Sequence, residues 1–152
     1  MSRQKTRLAE ACSELNAERA KYVLVGAAAM QLWGTTRATR DIDILIDPTV
    51  ANARRVLAGL AKLGFGFAAE LSPEEIVRRP VTVIGDMPNV DVLTRAWNLR
   101  FTDARRRAVV FELEGVKIPT ASIEDLIESK RTGRLQDAAD IDVLEEIRRL
   151  RG

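Results

Sequence analysis

Histidine is absent from the 152 residues, and cysteine occurs once, as Cys12. The first absence excludes His-based triads, His-ligated zinc and imidazole general bases. Acid–base chemistry therefore falls to carboxylates, lysines or tyrosine. A single cysteine excludes an internal disulfide and suits a reducing cytoplasm. No apolar run approaches the ~20 residues needed to span a bilayer, and Met1 to Lys21 is polar and mixed in charge, unlike a secretory signal. A cytoplasmic location with no membrane partner is the expectation. Neither sign of charge dominates, with 24 Lys and Arg against 22 Asp and Glu, a net +2. The arginines do cluster, at Arg78-Arg79, Arg105 to Arg107 and Arg148-Arg149-Arg151, which is compatible with a polyanionic partner without requiring one. Internal repeats, low-complexity tracts and linkers are also missing. One domain is expected, with a core over about 20–120 and C-terminal helices over about 121–151.

Along the chain, Leu8, Ala11, Cys12 and Leu15 recur at helical spacing and predict an amphipathic helix over Arg3 to Arg19. A short apolar strand follows, Tyr22 to Val25, ended by Gly26, where a sharp turn and close approach to main-chain N–H groups become possible. The next helix, Ala27 to about Trp33, starts at that turn, so its N-terminus is a natural anion seat. Close helix–strand packing explains Ala27, Ala28 and Ala29 equally well. Asp47-Pro48-Thr49 reads as a helix start with Asp47 as cap, leading into an apolar-faced helix from Thr49 to Leu63 closed by Gly64. Phe65 to Ala69 is expected as a short strand, Pro73 to Arg79 as a helix or turn, and Val81 to Ile84 as a strand. Trp97 to Arg107 reads as irregular or helical. Val109 to Leu113 and Val116 to Ile118 form a hairpin across Glu114-Gly115. Pro119 and Ser122 set up a further helix, Gly133 interrupts or ends it, and Leu135 to Leu150 forms the last one.

The acids carry the chemistry. In Asp41-Ile42-Asp43-Ile44, residues two apart share a strand face, so the aspartates lie side by side while Ile42, Ile44 and Ile46 turn into a core. Two aspartates are poor strand formers, and at about 4 Å and an effective dielectric near 20 their charges repel by up to ~4 kcal/mol. A divalent cation removes that penalty, and Mg²⁺ prefers such oxygen ligands. Asp91, between Val90 and Val92 on a later strand, is a third acid in an apolar setting; a salt-bridged or edge position is its structural alternative. Arg37 and Arg40 sit in the connection before the acid strand, where each suits either a phosphate or a neighbouring acid. Tyr22, Trp33 and Trp97 offer faces for a base, with core or rim packing favoured for each.

Gly26-Ala27, Asp41-Ile42-Asp43-Ile44 and Val90-Asp91-Val92, in that order, resemble the DNA polymerase β-like nucleotidyltransferase superfamily. Arg37-x-Thr39-x-Asp41-x-Asp43, with Lys130-x-x-x-Arg134-x-x-Asp137, is similar to its small bacterial branch of abortive-infection and toxin–antitoxin type. The likeness covers roughly Tyr22 to Leu144 and departs at Ala27, where the superfamily has Gly or Ser with its phosphate contact. It implies an α+β fold, a mixed sheet of the polymerase β palm type flanked by helices. It implies transfer of an NMP from an NTP to a hydroxyl of an RNA (tRNA included), protein or small-molecule acceptor. Asp41 and Asp43 would hold Mg²⁺ (Mn²⁺ as the substitute), and Asp91 would ligate a second ion and help deprotonate the hydroxyl. Gly26, Ala27, Arg37, Thr39 and Lys130 would bind the nucleotide, and a cognate toxin or antitoxin protein is an expected partner. The alternative is a non-catalytic nucleotide- or partner-binding module, an antitoxin or regulatory subunit on the same fold.

Overall fold

Tyr22–Val25 (β1) is buried along its whole length, so it belongs inside a sheet and not at its edge. In the computed structural model, which describes residues 6–36, 39–64, 66–85, 89–131 and 133–151, β1 lies in a six-stranded mixed sheet. Its neighbour on one side is Asp41–Ile46 (β2), antiparallel, with Val25 opposite Asp43. On the other side is Val116–Thr120 (β6), parallel, with Leu24 opposite Thr120. Beyond β2 come Asn89–Leu93 (β4), parallel to it, and Val81–Ile84 (β3), antiparallel to β4. Val109–Leu113 (β5) pairs antiparallel with β6, giving the order β3-β4-β2-β1-β6-β5. The expected α+β class and the hairpin across Glu114-Gly115 are both present.

Among the described residues, seven helices flank the sheet. Arg7–Ala17 (α1) is capped by Thr6, whose hydroxyl accepts from the Ala9 N–H at 3.2 Å, and it buries Ala9, Ala11, Cys12 and Leu15. Gly26–Trp33 (α2) lies against β2 and β1. Trp33 is buried, its indole N–H donating to the Ala121 carbonyl at 2.9 Å. Tyr22 is buried too, so neither ring is open to a base; Trp97 is exposed. Val50–Ala61 (α3) crosses α1 at Gly59, where a Cβ would meet the Glu14 carbonyl oxygen at 3.1 Å. Only glycine lets the two backbones come that close. Pro73–Arg78 (α4), Phe101–Arg107 (α5), Ile123–Ser129 (α6) and Leu135–Arg151 (α7) complete the set. Among the described residues, no helix is long and apolar enough to cross a membrane.

Three expectations need correction. The cap of α3 is Thr49, whose hydroxyl accepts from Asn52 N–H at 3.2 Å, three residues ahead. Asp47 instead offers its carbonyl to the buried Asn52 amide at 2.9 Å. Instead of a short strand, Gly66–Glu70 forms a 3₁₀ turn packed against α3. Phe65 itself lies outside the described residues. Pro119 does not open a helix but pairs with Val110 inside β6, and Ser122 alone caps α6. The expected break at Gly133 is present: α6 is capped at Lys130, Gly133 adopts φ +87°, and Lys130 and Asp137 belong to different helices.

Candidate active site

The antiparallel β1–β2 pair and the parallel β2–β4 pair bring three chain ends together at one end of the sheet. These are the exit of β1, the entry of β2 and the entry of β4. Asp43 therefore faces Val25 on one side and Asp91 on the other, while Asp41 pairs with Asn89. Ile42, Ile44 and Ile46 are buried, as period-two alternation requires. Asp41 is exposed, and Asp43 and Asp91 are half-buried.

Gly26 makes this junction possible. It adopts φ +71°, and a Cβ there would lie 2.3 Å from Asp43 Oδ2, so a side chain would be strained and in collision with the acid. The close approach brings Asp43 beside the first turn of α2. At the cap of that helix, Val25 carries no acceptor and gives the first-turn N–H groups no side-chain cap. Ala27, half-buried, continues the low surface without a hydroxyl.

The acids are electrostatically strained. Asp43 is pushed up from 3.8 to about 7, first by burial, then by the hydrogen bond with Asp91, then by the charges of Asp91 and Asp41; Lys130 pulls weakly the other way. Its Oδ1 is buried without a hydrogen-bond partner. Asp91 is steadied by Asn89, whose amide donates to Oδ1 at 3.2 Å. Thr39 supports the entry of β2, its hydroxyl accepting from the Asp41 N–H at 3.1 Å.

Lys130 reaches this end of the sheet from the C-terminus of α6, and α7 holds it there. Its ammonium pairs with Asp137 at 3.4 Å and with Asp140 at 3.2 Å, both buried carboxylates. Arg134 also pairs with Asp137, at 2.7 Å.

Gly26, Asp43 and Asp91 thus meet directly, Asp41 and Lys130 act on Asp43 through charge, and Thr39 braces the strand. Arg37 lies outside the described residues. Two participants were missed in the sequence. Asn89 shares the Asp91 face of β4 by its two-residue spacing, and Asp140 follows Asp137 by one helical turn. Both patterns were visible, but neither named a partner.

Do these residues suit Mg²⁺? Among the described residues, no three His, Cys, Asp or Glu side chains already converge as a ligand set. Mg²⁺ commonly takes one or two carboxylates and fills its octahedron with water and substrate phosphates. A carboxyl pair with one buried, unpartnered oxygen fits that requirement.

Residues 6–150 match a family described as a nucleotidyltransferase of unknown function (DUF6036). No curated protein matches the chain.

Proposed function

The chain belongs to that nucleotidyltransferase family, and we propose that it transfers an NMP from an NTP to an acceptor hydroxyl in a Mg²⁺-dependent reaction. One observation carries the reading: Asp43, raised to about 7 and holding an unpartnered buried oxygen, sits against Asp91 and the glycine that opens α2. An acid kept this uncomfortable is stabilised by a bound cation.

In this reading the acceptor oxygen attacks the α-phosphorus in line. The bond to the bridging oxygen breaks, and pyrophosphate leaves with that electron pair. The first-turn N–H groups of α2 receive phosphate oxygens, which the small side chains of Gly26 and Ala27 let come close. Asp91, oriented by Asn89, takes the acceptor proton. Lys130, fixed by Asp137 and Asp140, contributes positive charge toward the developing negative charge. Mg²⁺ held by Asp43 with Asp41 and Asp91 would neutralise phosphate charge and acidify the attacking hydroxyl.

The test is thermal unfolding with ATP, CTP, GTP and UTP in turn, with and without Mg²⁺. Ligand binding stabilises the folded state by mass action. A nucleotide- and Mg²⁺-dependent rise in Tm is expected, and the best nucleotide names the donor. No rise with any of the four refutes the reading and favours the non-catalytic partner-binding module, for which Ala27 is the supporting departure.

A further inference from the structure

A cavity of about 740 Å³ lies between the start of α1, the side of α2 and the entry of β2. That volume is ordinary for small-molecule sites, which span ~300–1,000 Å³. Its apolar wall comes from Leu8, Leu32, Ile42 and Leu113. Ile42 turns to the opposite face of β2 from Asp41 and Asp43, so the apolar wall lies behind the acid junction and meets it only at Asp41 and Thr39. Two cations, Arg7 and Arg40, stand against the apolar wall, and Asp41 is the one acid among the described lining residues. Arg7 is already paired with Glu10 at 3.0 Å, whereas among the described residues no acid pairs with Arg40. A nucleic acid or protein surface would need broad contact; a half-open cavity whose lining joins an apolar wall to two cations suits a compact molecule of opposite charge.

We propose that this cavity binds a small amphipathic organic anion, with its apolar body on Leu8, Leu32, Ile42 and Leu113 and its acidic group at Arg40 and Arg7. The inference stands on the cavity and does not require nucleotidyl transfer. It does have a route to the acid strand, because Thr39, which also lines the cavity, holds the Asp41 N–H.

The probe is 1-anilinonaphthalene-8-sulfonate, an apolar ring system bearing one anion, followed by its fluorescence on the folded full chain. One saturable site is expected. Leu32→Trp fills the cavity and should weaken binding about tenfold or more, and Arg40→Glu should weaken it by a similar factor. Arg40 is exposed, so that variant tests the site even if Leu32→Trp folds poorly. Octanoate and octyl phosphate serve as competitors; displacement by either supports the site, and the stronger one tells carboxylate from phosphate. Octanol, lacking charge, should displace poorly. Unchanged probe binding in both variants overturns the proposal, as does displacement by octanol as effective as that by octanoate. Displacement by ATP without Mg²⁺ overturns it too, by making the cavity the base pocket of the nucleotide site. Retained probe binding with no nucleotide-induced Tm rise would sink the transferase reading and leave this site standing.

Discussion

Replacing Asp43 by asparagine should stabilise the ligand-free protein while destroying the proposed cation site. The carboxyl is raised from 3.8 to about 7 by burial, by Asp91 and by Asp41. The folded state therefore keeps a proton that the unfolded chain releases between roughly pH 4 and 7. Stability falls as pH rises through that window and stays low above it. At ~1.36 kcal/mol per pH unit the ceiling is ~4 kcal/mol. Water reaches part of the half-buried group, and screening brings a realistic value nearer ~2 kcal/mol. Asparagine keeps the size, carries no charge, and its amide can donate to Asp91. Asp43→Asn should thus unfold ~4–8 °C higher than wild type at pH 8, given ~2–4 °C per kcal/mol in a domain of this size. The gap should close toward pH 4. Calorimetry or circular dichroism melts at several pH values measure it, and melts with nucleotide and Mg²⁺ should show the variant losing any ligand-induced rise. Two Tm curves running parallel from pH 4.5 to 8 would refute the argument, because they would mean that Asp43 titrates normally and the junction stores no charge.

Gly26→Ala should cost ~2 kcal/mol or more in urea unfolding, combining a left-handed backbone penalty of ~1–2 kcal/mol with a Cβ placed 2.3 Å from Asp43 Oδ2; wild-type stability would mean that the junction is looser than described. Lys130→Met should cost ~1–3 kcal/mol by removing the ammonium from the buried Asp137 and Asp140, of which Asp137 keeps its pair with Arg134. Adding Asp140→Asn should recover part of that loss, a coupling read from the double-mutant cycle; strict additivity would count against a held lysine.

What could be read from the sequence was what depends on near neighbours. Alternation over Asp41 to Ile46 announced two acids on one face because a strand repeats every two residues. The apolar run from Tyr22 to Val25 and the glycine after it likewise announced a buried strand and its turn. The errors arose where local chemistry offered two answers. Asp47 and Thr49 are both good caps, and the choice went to Thr49 because its hydroxyl lies three residues before Asn52. Phe65 to Ala69 alternates like a strand, yet Gly66–Glu70 winds into a 3₁₀ turn packed against α3. Gly59 gave no signal at all, since its purpose is the approach of α1, more than forty residues earlier in the chain. The pairing of Asp43 with Asp91 is likewise a long-range register that no window of sequence contains.

The break at Gly133 bears on why the acid junction stays acidic. A helix continuing through it would have spread Lys130, Arg134 and Asp137 along one face as a solvated surface network. The break instead turns α7 back so that two buried carboxylates, Asp137 and Asp140, grip the lysine from behind. An opposite charge nearer Asp43 would bring its carboxyl back toward the ordinary range. Held by α7, Lys130 lowers the Asp43 carboxyl only weakly, less than burial, Asp91 and Asp41 together raise it. In the proposed function that positive charge would meet a phosphate, while its pairs with Asp137 and Asp140 compensate it as a counter-ion for the acids. In the proposed reading, that division of labour leaves the strand ends short of a cation until the nucleotide arrives with one.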